Sequence, residues 1–246
     1  MGPREFHQEI PSTQDRAIEL VRGGALEGTR VVARSQTHGR GRLDHRWASP
    51  PGGVYLSIVL RPPPEHVTLL PLALGARLAQ GLGEVDPRRF VVQWPNDILM
   101  APSSGRPRKV GGILVDRVES PERGPLAVAG IGVNVTTERD AFPPELRDFA
   151  TSLAQGTSRA PTLDAVETIM VHGAMRAAIG LRGPGGVEAT RALCRRMLYG
   201  RGRSVLVDGR PAGTILDLGD DGELLLERDG ERVAIRAGDV RVEENG

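Results

Sequence analysis

The 246-residue sequence predicts an α+β domain followed by a small all-β barrel. Two observations carry that prediction. Up to about residue 198, stretches with helical spacing alternate with short apolar runs of strand length. Beyond Tyr199-Gly200 the pattern becomes about five short alternating runs between 203 and 242, punctuated by Asp208-Gly209, Asp221-Gly222, Asp229-Gly230 and Gly238-Asp239. Asp-Gly between alternating runs is a strong hairpin signal. The expected domains are 1–198 and 199–246.

Taken in order, Ser12 precedes apolar residues at Ala17, Ile18, Leu20 and Val21, and Gly23-Gly24 closes the stretch, which reads as a capped helix of about three turns. A strand is expected over 30–35, then a loop over 36–46. A second strand, 54–61, ends at Pro62-Pro63-Pro64, and 67–83 has helical spacing through Leu70, Leu74 and Leu78. A short strand over 89–94 stops at Pro95; 109–117 and 126–135 read as long buried strands, and 163–181 and 186–198 as helices.

Composition narrows the function. The net charge of +1 gives no global reason to expect a nucleic-acid or membrane partner. One cysteine excludes a disulfide framework, and five scattered histidines make a transition-metal centre a poor expectation. No apolar run reaches the ~18 residues of a membrane span. Residues 1–10 are polar and mixed in charge, unlike a signal peptide, so a cytoplasmic protein is expected. Among 32 Lys and Arg residues there is one lysine, Lys109. Drift toward arginine explains the missing lysines but not the one that remains. A site that needs a compact ammonium instead of a planar fork would explain it.

Four segments hold the candidate chemistry. In the loop from Gln36 to Trp47, glycines alternate with arginines (Gly39-Arg40-Gly41-Arg42), so backbone N–H groups and guanidinium groups can approach one anion. Alone, such a loop is as readily an RNA-binding tract or plain surface. Trp94-Pro95-Asn96-Asp97 ends a strand; its amide suits a ureido, amide or hydroxyl, its carboxylate Mg²⁺ or a ribose, and an Asx turn is the plainer explanation. Lys109 enters a strand containing Gly111 and Gly112, and glycine inside a strand suggests a ligand or backbone at close range. Gly130-Ile131-Gly132-Val133-Asn134 alternates small and apolar residues, which close sheet packing also explains.

Together, S-T-Q-D from Ser12, Q-x-x-G-R-G-R from Gln36, W-P-N-D from Trp94, R-K-V-G-G-I-L-V-D from Arg108 and G-I-G-V-N-V from Gly130 resemble the biotin–protein ligases. The resemblance runs from Ser12 essentially to the end of the chain. It implies a mixed-sheet ligase catalytic domain flanked by helices, then an SH3-like β-barrel. It also implies a two-step reaction: biotin and ATP give biotinyl-5′-AMP and pyrophosphate, and a lysine of a carboxylase's biotin carboxyl carrier domain then takes the biotin. A lipoate or octanoate ligase on the same scaffold, an RNA-binding module and an inactive biotin sensor are the competing readings.

By that resemblance, Ser12, Thr13, Gln14 and Gln36 contact the biotin rings. Gly39, Arg40, Gly41 and Arg42 close over biotin and phosphate, with Lys109 bridging the carboxylate and the α-phosphate. Gly111, Gly112 and Gly130 belong to the biotin side. Asn96, Asp97, Gly132 and Asn134 belong to the nucleotide, with Asp97 toward Mg²⁺ and Trp47 on the adenine side. The catalytic residues implied are Lys109, Arg40 and Arg42. Departures from the family pattern are Asp44-His45 in the loop, Gln93 before W-P-N-D and Gln14 for the usual asparagine. Eleven residues precede Ser12, so a ligase without operator binding is expected, with no DNA or membrane partner and either a monomer or a homodimer.

Overall fold

The polar start of the chain forms a strand that its periodicity does not announce. In the computed structural model, which describes residues 2–43, 45–86, 88–101, 106–155 and 160–243, β1 (Arg4–Ile10) lies parallel to β2 (Arg30–Gln36), with helix α1 (Thr13–Arg22) as the crossover. The Ser12 hydroxyl accepts from the Asp15 N–H and caps α1, as its position predicts. After β2 come β3 (Gly53–Leu60), helix α2 (Leu70–Val85), β4 (Arg89–Gln93), β5 (Asp97–Ala101), β6 (Arg108–Ser120) and β7 (Gly124–Asn134). These seven strands form one mixed sheet in the order β1-β2-β3-β7-β6-β5-β4. β5 is a second unannounced strand. The cis Trp94–Pro95 peptide lies in the turn that reverses β4 into β5, so Asp97 opens a new strand.

Helices α3 (Leu163–Gly180) and α4 (Pro184–Met197) complete the first part of the chain. Strand alternation divides the two faces of the sheet. Leu56, Ile58 and Leu60 of β3, with Ala127, Ala129, Ile131 and Val133 of β7, bury against α2, α3 and α4. Val59, Val118, Leu126 and Val128 point the other way and pack on Ala17 and Val21 of α1. α1 covers only one end of that face. The remainder, at the far ends of β6 and β7, is where the glycines and Lys109 lie.

Five further strands, β8 (Ser204–Val207), β9 (Arg210–Leu218), β10 (Leu224–Arg228), β11 (Glu231–Ile235) and β12 (Val240–Val242), make an antiparallel sheet in the order β11-β10-β9-β8-β12. Asp208-Gly209 and Asp229-Gly230 take positive φ at both residues, the conformation expected of two-residue hairpin turns. The sheet is docked on the W-P-N-D segment. Tyr199 N–H donates to Val92 O at 2.8 Å, Gln93 Nε2 to Val240 O at 3.1 Å, and buried Trp94 Nε1 to Gly222 O at 2.8 Å. Among the described residues no helix is long and apolar enough to cross a membrane.

Candidate active site

A cavity of about 270 Å³ opens on the face of the sheet that α1 leaves uncovered. At one end hydroxyl and amide groups interlock. Gln36 Oε1 accepts from the Thr13 N–H at 2.8 Å and from its hydroxyl at 3.0 Å, while Gln36 Nε2 donates to Ser49 Oγ. Gln14 Oε1 accepts from Ser57 at 2.9 Å, and its Nε2 donates to Val128 O and to Asp116 Oδ2. Thr13, Gln14, Gln36 and Ser57 thus present a hydroxyl–amide wall in which each amide's orientation is set by its partners. Burial raises the Tyr55 phenol above its ordinary range, and its O–H donates to Pro50 O at 2.7 Å, so it is a neutral strut in the wall.

The floor comes from β6 and β7, where Gly112 pairs with Gly132 and Leu114 with Gly130. A Cβ on Gly130 would stand 2.6 Å from Gln14 Oε1, and one on Gly132 2.6 Å from Trp47 Nε1. The bare floor therefore admits the Gln14 amide and the Trp47 indole at contact distance. A Cβ on Gly112 would meet the same indole at 2.7 Å. Two buried polar atoms beside this floor, Trp47 Nε1 and Asn134 Oδ1, have no hydrogen-bond partner among the described residues. Asn134 is held through its other amide atom, Nδ2, which donates to Thr151 O.

The glycine–arginine loop folds back on itself as a small hairpin: Gly41 N–H donates to His45 O, and Trp47 N–H to Gly39 O. Its guanidinium groups reach different walls. Arg40 Nη1 lies 2.9 Å from Asp15 and 3.1 Å from Asp116, and Arg42 Nη1 donates to Asn96 Oδ1 at 3.3 Å. Asn96 in turn donates to Ile113 O at 2.7 Å. Lys109 Nζ lies 2.7 Å from Asp97 Oδ1 and 5.2 Å from the centre of the Trp47 ring. The lysine backbone is fixed by Phe149 and Thr151, through bonds of 2.8 Å on each side.

Most of the predicted residues therefore meet in one place. Thr13, Gln14 and Gln36, Arg40, Gly41, Arg42 and Trp47, Asn96, Asp97 and Lys109, and Gly112, Gly130, Gly132 and Asn134 all line the cavity. Three do not. The Ser12 hydroxyl accepts the α1 cap bond, Gly39 packs under Ser49 and Trp47 O, and Gly111 faces the opposite layer, against Val133 and Ile98. Asp44 lies outside the described residues. The motifs missed several wall residues. Ser57 had a signal, a hydroxyl amid the apolar run of β3. Phe142, Leu146 and Phe149, and Gly238 and Asp239 from the second sheet, had none and arrive by tertiary packing alone.

The mixed sheet thus brings a glycine–arginine loop, a glycine floor and one ammonium together in one cavity. Comparison with known proteins supplies the family. The model of the biotin/lipoate A/B protein ligase family matches residues 7–135, more than half of the chain, and the chain belongs to that family. It is 40% identical over 153 residues to the bifunctional ligase/repressor BirA of Bacillus subtilis, covering 61% of this chain and 46% of the relative. It is 29% identical over 235 residues to a biotin–[acetyl-CoA-carboxylase] ligase of Mycobacterium tuberculosis, covering 92% and 83%. The biotin protein ligase from Aquifex aeolicus, solved in complex with biotin and ATP, superposes with a TM-score of 0.81 at 27% identity over 100% of both chains. The chain spans about half the length of the Bacillus ligase/repressors it matches.

Proposed function

We propose that this protein is an ATP-dependent biotin–protein ligase that makes biotinyl-5′-AMP and transfers biotin to a lysine of a carboxylase's biotin carboxyl carrier domain. The observation that carries the reading is the meeting of Lys109, Arg40 and Arg42 with the Thr13–Gln14–Gln36–Ser57 wall in one cavity. A ureido group satisfies such a wall when buried, whereas the dithiolane of lipoate or the alkyl chain of octanoate would leave amides and hydroxyls facing carbon.

Biotin's carboxylate oxygen attacks the α-phosphorus, the bond to the β-phosphate breaks, and pyrophosphate leaves with the electron pair. The chain's part is to bring two anions together and exclude water. Lys109 leaves Asp97 and follows the negative charge as carboxylate and phosphate merge. Arg40 and Arg42, on the hairpin, close over the same atoms. Trp47 and Asn134 bring an unpaired N–H and an unpaired carbonyl to the nucleotide side. Mg²⁺ keeps much of its shell as water and phosphate oxygen and takes one or two carboxylates from protein. Asp97 would hold such an ion, which would supply charge neutralisation on the phosphates. In the second step the acceptor nitrogen attacks the anhydride carbonyl, the C–O bond to AMP breaks, and AMP departs.

The same reading assigns residues 1–198 to substrate activation and 199–246 to a barrel that helps receive the carrier. Incubation with ATP and biotin, lipoate or octanoate, followed by pyrophosphate release, tests it. Release with biotin alone is expected; turnover only with lipoate or octanoate overturns the assignment.

A further inference from the structure

Arg40, Arg42, Arg46 and Lys109 are among the residues lining the cavity, with Asp15 and Asp116 beside Arg40, and the acidic residues lining it among the described residues are Asp97 and Asp239. The first is occupied, 2.7 Å from Lys109 Nζ. The second comes from the other sheet, in the turn before β12. Its ion-pair partner is Arg241, 3.5 Å away, and both side chains are more than half exposed. The turn is built by the main chain of Asp239: its N–H donates to Asp208 Oδ1 at 2.8 Å, and its carbonyl accepts from Asp208 N–H at 2.9 Å. The Asp239 carboxylate is thus free of any part in holding the turn. β12 is itself tied to the catalytic sheet by the bond from Gln93 Nε2 to Val240 O.

An acceptor lysine reaches the cavity as an ammonium, because its ordinary pKa is about 10.4. The cations that suit two anionic substrates repel it. A half-exposed acidic residue that lines the cavity from the second sheet offsets that repulsion along one approach. We propose that Asp239 receives the ammonium of the acceptor lysine and guides it to the acyl adenylate. This rests on the ligase reading. The ammonium pairs with Asp239, gives a proton to water, and the free amine attacks the anhydride carbonyl carbon. The C–N bond forms, the C–O bond to the phosphate breaks, AMP leaves as the dianion, and a second proton passes to water.

The test compares two nucleophiles on adenylate formed in situ by the full-length protein: a biotin carboxyl carrier domain, and hydroxylamine, which is largely uncharged near neutral pH. In D239N, biotin transfer to the carrier is expected to fall about fivefold relative to hydroxylamine trapping, the size of one exposed ion pair. D239E should restore the ratio, and added salt should narrow the difference. Equal slowing of both nucleophiles, no change in the ratio, or an altered Mg²⁺ dependence of pyrophosphate release in D239N would each overturn the proposal. Wild-type protein that releases no pyrophosphate with biotin would instead overturn the ligase reading on which it stands.

Discussion

Replacing Lys109 by arginine keeps a positive charge and tests whether the site needs a compact one. Asp97, 2.7 Å from Nζ, can pair with a guanidinium equally well, so the fold should lose less than about 1 kcal/mol. For a chain of this size that is a fall in Tm of at most about 4 °C. Space is the harder condition. Lys109 Cε and the Trp47 ring stand 3.5 Å and 2.7 Å from the point where a Gly112 Cβ would be, so the lysine stem lies beside the indole over Gly112. A wider planar guanidinium carries its charge at a different point, and a displacement of about 1 Å from the reacting atoms costs about 10²-fold. Counted instead as the loss of one preorganised donor to a developing charge, the same change costs about 10²–10³-fold, about 2.7–4 kcal/mol. Adenylate formation in K109R should therefore drop about 10²–10³-fold, read by pyrophosphate release with biotin and ATP. Activity within about tenfold of wild type, with an unchanged Tm, would refute the requirement for an ammonium.

Three further outcomes follow from the packing. G132A places a methyl group 2.6 Å from Trp47 Nε1, so the indole must move; the expected cost is about 1–3 kcal/mol of stability with a shift in tryptophan emission, seen in thermal melts followed by fluorescence. W94F removes the buried donor to Gly222 O and leaves that carbonyl unpaired, for about 1–3 kcal/mol, which should lower Tm by about 2–4 °C per kcal/mol. Burial alone would push the Asp86 carboxyl up, but hydrogen bonds from Arg88 outweigh it and hold the carboxyl below its ordinary value. Its folded-state pKa thus lies under its unfolded one. The stability it contributes is complete above the ordinary aspartate pKa and is lost as pH falls through the folded value. Urea unfolding between neutral and acid pH should show this loss, and D86N should flatten the curve.

The parts of the fold visible in the sequence are those with local causes. Ser12 marks the start of α1 because a hydroxyl at that position satisfies a free N–H, and Asp208-Gly209 marks a hairpin because its backbone tolerates positive φ. β1 escaped because it is an edge strand with one face in solvent, so charged residues interrupt its alternation and Phe6 stays 43% exposed. β5 escaped because five residues after a proline carry too little periodicity, although Pro95 does end β4. In the site, residue types were legible where glycines and cations cluster in short motifs. Which of them touch was not. Gln14 meets Asp116 across 102 positions of sequence, and Arg42 meets Asn96 across 54, through sheet register that no local pattern encodes. Ser12 differs: its hydroxyl accepts from the Asp15 N–H and caps α1, and it is not among the residues lining the cavity.

The lysine that Asp97 holds has a consequence for the rest of the surface. An acyl adenylate that escapes a cavity acylates whatever free amine it meets, and guanidinium groups, protonated throughout the neutral range, do not react with it. Ion pairs that other proteins make with lysine are made here by arginine: Arg4 with Glu167, Arg34 with Asp164, Arg139 with Asp148. The chain has a single side-chain amine, Lys109, and that one is kept at 2.7 Å from a carboxylate. On the ligase reading, an adenylate that left the cavity would meet arginine-rich ion pairs and few side-chain amines on this surface.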